Sequence, residues 1–111
     1  MTGQAGEGRI ILLAKAPEPG RCKTRLIPAL GAEGAAELQA RLIRHALDRL
    51  LRPGIPETEL WCAPDSGHVF FRELAGQYSI GLRDQIGSDL GERMLFAARD
   101  GLSRADHVIL L

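Results

Sequence analysis

The run RIILLAKAP, Arg9 to Pro17, places the tightest constraint on the fold. Ile10 to Ala14 is apolar at every position, without the polar alternation of a strand that shows one face to water. Such a strand needs cover on both faces, which a parallel sheet layered between helices provides. ELWCAP, Glu59 to Pro64, gives a second strand centred on Leu60 to Ala63, and DHVILL repeats the unbroken pattern at the end of the chain. Between these runs the spacing of apolar residues becomes helical. From Ala32, Leu38, Leu42, Ala46 and Leu50 fall four apart, flanked by Ala35, Ile43, Leu47 and Leu51, until Pro53 and Gly54 stop the helix. HVFFRELAGQ predicts a short helix with Val69, Phe70, Leu74 and Ala75 inward and Gly76 as its stop. A short strand is expected near Tyr78 to Leu82. SDLGERMLFAARDGLS predicts a helix capped by Ser88 or Asp89, with Glu92 where a capping carboxylate belongs. Its buried side is expected to be Met94, Leu95, Ala98 and Leu102. The alternation predicts an α/β fold: three layers, α/β/α, around a mostly parallel, Rossmann-like sheet.

At 111 residues the chain is one domain at most. Residues 1–8 read as a flexible polar tail and residues 9–111 as the folded part. Ending on what should be a central strand leaves no loop after it, although ligands of open parallel sheets sit at such loops. The chain therefore reads as truncated. A formal net charge of zero argues against a nucleic-acid or anionic-membrane partner. No apolar run is long enough to span a membrane, and the N-terminus lacks the features of a signal peptide. Cys22 and Cys62 match no disulfide framework or zinc spacing, which favours free thiols in the cytoplasm.

Against this neutral background AKAPEPGRCKTR, Ala14 to Arg25, is strongly basic, and it follows the first strand directly. Pro17 and Pro19 stiffen the loop, and Gly20 can adopt backbone angles that other residues avoid. Lys15, Arg21, Lys23 and Arg25 can surround a multiply charged anion, arginine as a rigid fork and lysine as a point charge. In an extended segment Arg21, Lys23 and Arg25 share one side. The alternative is a solvated loop, which must then find carboxylate partners elsewhere, since Glu18 is the only acid within it. The stretch is neither a Walker A loop nor a dinucleotide fingerprint. Asp65 either contacts a base or ribose, or forms a turn with Ser66 and Gly67. In DQIGSDLGERM, Gln85, Gly87, Asp89, Gly91, Glu92 and Arg93 are dense for a plain connection into a helix start. Arg93 there opposes the helix dipole and would welcome an anion, and Gly91 would allow a close approach; local pairing explains the charges equally well. His45, His68 and His107 have no ligand spacing, no metal site is assigned, and no catalytic residue is assigned. Arg104 reads as a surface residue.

AKAPEPGRCKTRL with PALG at Pro28 to Gly31 and DLGERM at Asp89 to Met94 resembles the selenodomain- and radical-SAM-associated transferases, a bacterial branch of the glycosyltransferase A superfamily. The resemblance implies a nucleotide-diphospho-sugar transferase fold in which Gly20, Lys23, Thr24 and Arg25, less securely Arg21, wrap the nucleotide phosphates. Asp89, Gly91, Glu92, Arg93 and Met94 match a second motif. The resemblance further implies Mg2+ or Mn2+, held by an acidic motif expected beyond Leu111, so the 111-residue piece would be inactive alone. Taken together, the candidate nucleotide-binding residues are Lys15, Gly20, Arg21, Lys23, Thr24, Arg25, Asp65, Asp89 and Arg93. The activity implied is sugar transfer from a nucleotide-diphospho-sugar to an unknown small-molecule acceptor. The alternatives are a guanylyltransferase-like nucleotidyltransferase that releases pyrophosphate from a nucleoside triphosphate, and a non-catalytic nucleotide-binding module. Self-association through an uncovered sheet edge is also expected.

Overall fold

Each apolar run of the sequence is a strand of one parallel sheet. The computed structural model describes residues 8–105 and 107–111. The expected tail lies outside the described residues except for Gly8, which opens the first strand. Strand β1 (Gly8–Lys15) leads through a single 3-10 turn at Thr24–Leu26 into α1 (Ile27–Leu50). Then come β2 (Glu57–Ala63), α2 (Val69–Tyr78), β3 (Gly81–Asp84), α3 (Leu90–Leu102) and β4 (His107–Leu110). The sheet order is β3-β2-β1-β4, with every neighbouring pair parallel. The chain moves one way from β1 to β3, then returns past β1 to β4. Crossovers of one hand therefore put α3 on the opposite face from α1 and α2.

Alternation along the strands divides the core accordingly. Leu12, Ala14, Leu60 and Cys62 pack with Ile43, Leu47, Phe70, Phe71 and Leu74 of α1 and α2. Ile11, Leu13, Trp61, Val108 and Leu110 turn the other way, toward Ala97 of α3. Full burial of a large side chain such as Leu47, Leu60 or Phe71 is worth about 1.5–3 kcal/mol.

Several expected faces and boundaries shift. In α1 the buried row is Ala35, Gln39, Ile43 and Leu47, joined by Ala36, while Leu42 is 46% exposed. A polar residue in that row disguised it, because Gln39 turns inward to donate from Nε2 to the Lys15 carbonyl at 2.8 Å. Gly31 (φ 77°) breaks the helix just before Ala32. Gly76 does not stop α2; Ser79, in a left-handed conformation, does, and β3 consequently starts later than expected. Val69 faces solvent and Phe71 takes its place inside.

On α3 the buried positions are Ala97 and Gly101, while Met94, Leu95 and Leu102 are 39%, 51% and 53% exposed. Small residues decide this contact. A Cβ at Gly101 would come within 2.8 Å of Val108 and 2.9 Å of Ile11, so only a small residue lets the helix sit this close to the sheet. The larger residues are left exposed.

A polar cluster fastens the far end of α3. Glu59 is buried, and its carboxylate accepts from Arg104 Nη1 at 2.5 Å, Arg104 Nη2 at 3.0 Å, Arg9 at 3.1 Å and Trp61 Nε1 at 3.0 Å. Asp100 also accepts from Arg104. Arg104 is thus a half-buried clamp and not the surface residue expected. Burial alone would push the Glu59 carboxyl up. Hydrogen bonds from Arg104 and Trp61 and the charges of Arg104 and Arg9 outweigh it and hold the pKa below its ordinary value.

Candidate functional site

The chain leaves β1 at the carboxyl edge of the sheet, and the next residues fold into a tight, anchored loop. Ala16 and Cys22 are buried and anchor it. Ala16 donates to the Ala63 carbonyl at 2.7 Å, joining the loop to the end of β2. Glu18 and Arg21 close a turn through an Arg21 N–H to Glu18 carbonyl bond of 2.9 Å. Gly20 (φ 83°) and Lys23 (φ 50°, ψ 41°) are both left-handed, so the segment is not extended. Arg21, Lys23 and Arg25 therefore do not form the single row expected of a strand. Glu18 reaches His68 at 3.5 Å, and His68 Nδ1 accepts from Phe70 N–H at the start of α2. The loop is held at both ends.

An open cleft of about 490 Å³ lies beside it. Lys15, Gly20, Arg21 and Thr24 line it from the loop side, with Ala63 and Pro64 at the end of β2 and Arg93 from α3. Glu18 contributes one carboxylate to the same wall. Five of the nine sequence candidates, Lys15, Gly20, Arg21, Thr24 and Arg93, are thus brought together. Lys23 and Arg25 are exposed and lie off the cleft lining. Asp65 forms a turn, its Oδ1 accepting from Gly67 N–H at 2.7 Å. Asp89 caps α3, accepting from Glu92 N–H at 2.8 Å, while Glu92 accepts from Ser88 N–H and Oγ. Those serine bonds hold the Glu92 pKa below its usual range.

Arg93 is set by the loop before the helix. Its Nε donates to the Gly87 carbonyl at 3.1 Å. Gly87 has φ 142°, and a Cβ there would meet Arg93 N at 2.7 Å. The glycine this turn requires is Gly87, whereas a Cβ at Gly91 would make only an ordinary 3.4 Å contact with Asp89. None of Lys15, Arg21, Lys23, Arg25 or Arg93 forms an ion pair among the described residues. The carboxylate partners that a merely solvated loop would need are therefore not supplied. Among the described residues no three His, Cys, Asp or Glu side chains converge to hold a metal ion.

Sequence reasoning assigned no role to two glutamines at this edge. Gln85 Nε2 donates to the carbonyls of Ala14 (3.1 Å) and Trp61 (2.9 Å), bridging β1 and β2, and its own N–H donates to Cys62. Gln39 secures Lys15 from the other face. For Gln39 a signal existed: it stands in a four-spaced row with Ala35, Ile43 and Leu47. Gln85 stands out in the dense segment DQIGSDLGERM, but its bridging role was not readable there, because its partners Ala14 and Trp61 are distant in sequence.

No protein-family model matches the chain, and no curated protein matches it. Among solved structures it is similar to a crystal structure from Desulfovibrio desulfuricans G20, described provisionally as a nucleotide-diphospho-sugar transferase. The TM-score is 0.79 at 28% sequence identity, over 95% of this chain and 46% of the other. The fold is that of a nucleotide-diphospho-sugar transferase. The chain spans just under half the length of that relative. In open parallel sheets of this kind ligands lie outside the carboxyl ends of the strands, where strand order reverses. Here the order reverses at β1, and Lys15 at its end lines the cleft. Among the described residues no helix is long and apolar enough to cross a membrane.

Proposed function

We propose that this chain forms the nucleotide-diphosphate-binding half of a glycosyltransferase A-type enzyme that moves a sugar from a nucleotide-diphospho-sugar to an acceptor. The observation that carries the reading is the convergence of Lys15, Arg21 and Arg93, free of ion pairs among the described residues, on one cleft at the carboxyl edge of a parallel sheet. In that cleft the arginine forks and the lysine charge bind the diphosphate, Thr24 offers a hydroxyl, and Gly20 lets the backbone approach. When the sugar leaves, charge grows on the diphosphate oxygens, and cations already in place stabilise it without reorganising. The finer likeness to the selenodomain- and radical-SAM-associated transferases rests on the AKAPEPGRCKTRL and DLGERM motifs. The Mg2+ or Mn2+ that this likeness implies finds no ligand set among the described residues, so no step is assigned to it. Two free, buried cysteines accord with a cytoplasmic location.

Calorimetric titration with UDP and GDP tests the phosphate site. Lys15→Ala and Arg21→Ala are expected to weaken binding about tenfold each, the worth of one charge-assisted hydrogen bond. Lys23→Ala and Arg25→Ala should weaken it less, and Arg99→Ala not at all. Equal losses at all five positions would remove the case for a localised site.

A further inference from the structure

The two edges of the sheet are unlike. β3 carries Arg83, which meets Asp100, and Asp84, which accepts from Ser66 N–H, so that edge is charged and engaged. β4, with Leu111 after it, reads HVILL and holds no lysine, arginine, carboxylate, proline or glycine. Such residues are what ordinarily keeps a sheet edge from pairing. Ile109 and Leu111 are instead 49% and 55% exposed.

The ladder with β1 decides which backbone groups stay open. Leu111 N–H donates to the Ile11 carbonyl at 2.9 Å, and the Leu111 carbonyl accepts from Leu13 N–H at 3.0 Å. Strand alternation turns the polar groups of Ile109 toward β1 as well, and those of Val108 and Leu110 toward the free side. Each of these two residues presents one donor and one acceptor where no strand of the described residues lies. Their side chains are already committed to the Ile11, Trp61 and Ala97 cluster under α3. The edge is thus ordered by the core and open along its backbone.

We propose that β4 is the seam of a two-fold dimer, pairing antiparallel with β4 of a second copy so that two four-stranded sheets become one. The open groups select the register. Val108 stands opposite Leu110 of the copy, and Leu110 opposite its Val108, each pair exchanging both N–H···O bonds, while Ile109 faces its own counterpart at the centre. Directly opposed residues share a face, so Ile109 and Leu111 of both copies cover one another on the face away from α3. Phe96 meets Trp61 edge-on and Asp100 meets Arg83, so that flank of α3 looks toward β2 and β3. Helical spacing puts the exposed Met94 and Leu102 on the opposite flank, the β4 side, where the α3 of the copy approaches on the same face. A second copy fits because apolar residues meet apolar residues in this register, and a chain of zero net charge does not repel itself. Assembly closes at two, since the outer edges are then the charged β3 strands. No residue of β4 lines the cationic cleft, so the inference stands independently of the nucleotide reading.

Sedimentation equilibrium of the 111-residue chain over about 10 µM to 1 mM tests it, with a mass expected to rise from 12.1 kDa to twice that value and no further. Ile109→Lys and Ile109→Glu each set like charges face to face and should hold the chain monomeric, whereas an equimolar mixture of the two should restore the dimer. Rescue by mixing is a result that misfolded variants would not give. On the unaltered chain, amide exchange at Val108 and Leu110 should slow as concentration rises, while exchange at Ile109, whose N–H is turned toward β1, should change least. A native chain that stays monomeric throughout overturns the proposal, as does a mass that climbs past the dimer. Dimerisation indifferent to both Ile109 variants, or exchange that slows equally at all three residues, places the seam elsewhere and overturns it too.

Discussion

Replacing Glu59 with glutamine preserves shape but removes one negative charge from a buried position that three strands and a helix share. In the native chain this carboxylate accepts from Arg104 twice, from Arg9 and from Trp61. The variant keeps one acceptor oxygen and turns an NH2 toward guanidinium groups that can only donate. Breaking a buried ion pair from one side costs about 3–5 kcal/mol. That figure is an upper bound here, because the Arg9 and Arg104 side chains are 20% and 27% exposed and each retains another carboxylate, Glu57 or Asp100. The expected loss is about 2–3 kcal/mol, or roughly a 10 °C fall in Tm for a chain of this size. Urea unfolding followed by fluorescence reads it directly, since Trp61 is the single tryptophan and sits in the cluster. The folded pKa of Glu59 is depressed, so its contribution is complete above the ordinary glutamate value of about 4.3 and is lost as pH falls through the folded value. The gap between native and variant must therefore close in acid. A loss under about 0.5 kcal/mol at pH 7, the range of ordinary surface changes, would show that the cluster does not clamp α3. So would a gap that stays constant down to pH 3.

Two further substitutions probe the turn and the thiol. Gly87→Ala should destabilise by about 2 kcal/mol, the cost of a strained residue with a backbone clash, and should weaken UDP binding by displacing Arg93. Gly91→Ala should instead stabilise by up to about 1 kcal/mol; urea unfolding of both variants checks the contrast, and equal effects contradict it. Burial, then the charges of Asp84 and Asp65, pushes the Cys62 thiol up to about 12. In a Cys22→Ala background Cys62 should therefore resist an aromatic disulfide reagent at pH 8 and react fully once urea unfolds the chain. Rapid reaction of the native chain would overturn the assignment.

Much of the layout was legible because it follows from local pattern. The unbroken runs at Ile10–Ala14 and Val108–Leu110, separated by helical spacing, dictate parallel strands with covered faces, and Pro17, Pro19 and Gly20 dictate a stiff turn after the first. Positive charge concentrated in Lys15–Arg25, in a chain of zero net charge, directed attention to the carboxyl edge of the sheet, where an open cleft lies. Which cations meet was not readable, because Lys23 is left-handed and the loop coils, so sequence neighbours separate while Arg93 arrives from far along the chain. The inward stripes of α1 and α3 were also decided by docking. Gln39 turns in because a strand-end carbonyl needs a donor, and Gly101 lies against the sheet because nothing larger fits between Ile11 and Val108. Hydrophobic periodicity specifies that a face will be buried. Backbone carbonyls left open at strand ends, and the space between packed elements, choose which face it is.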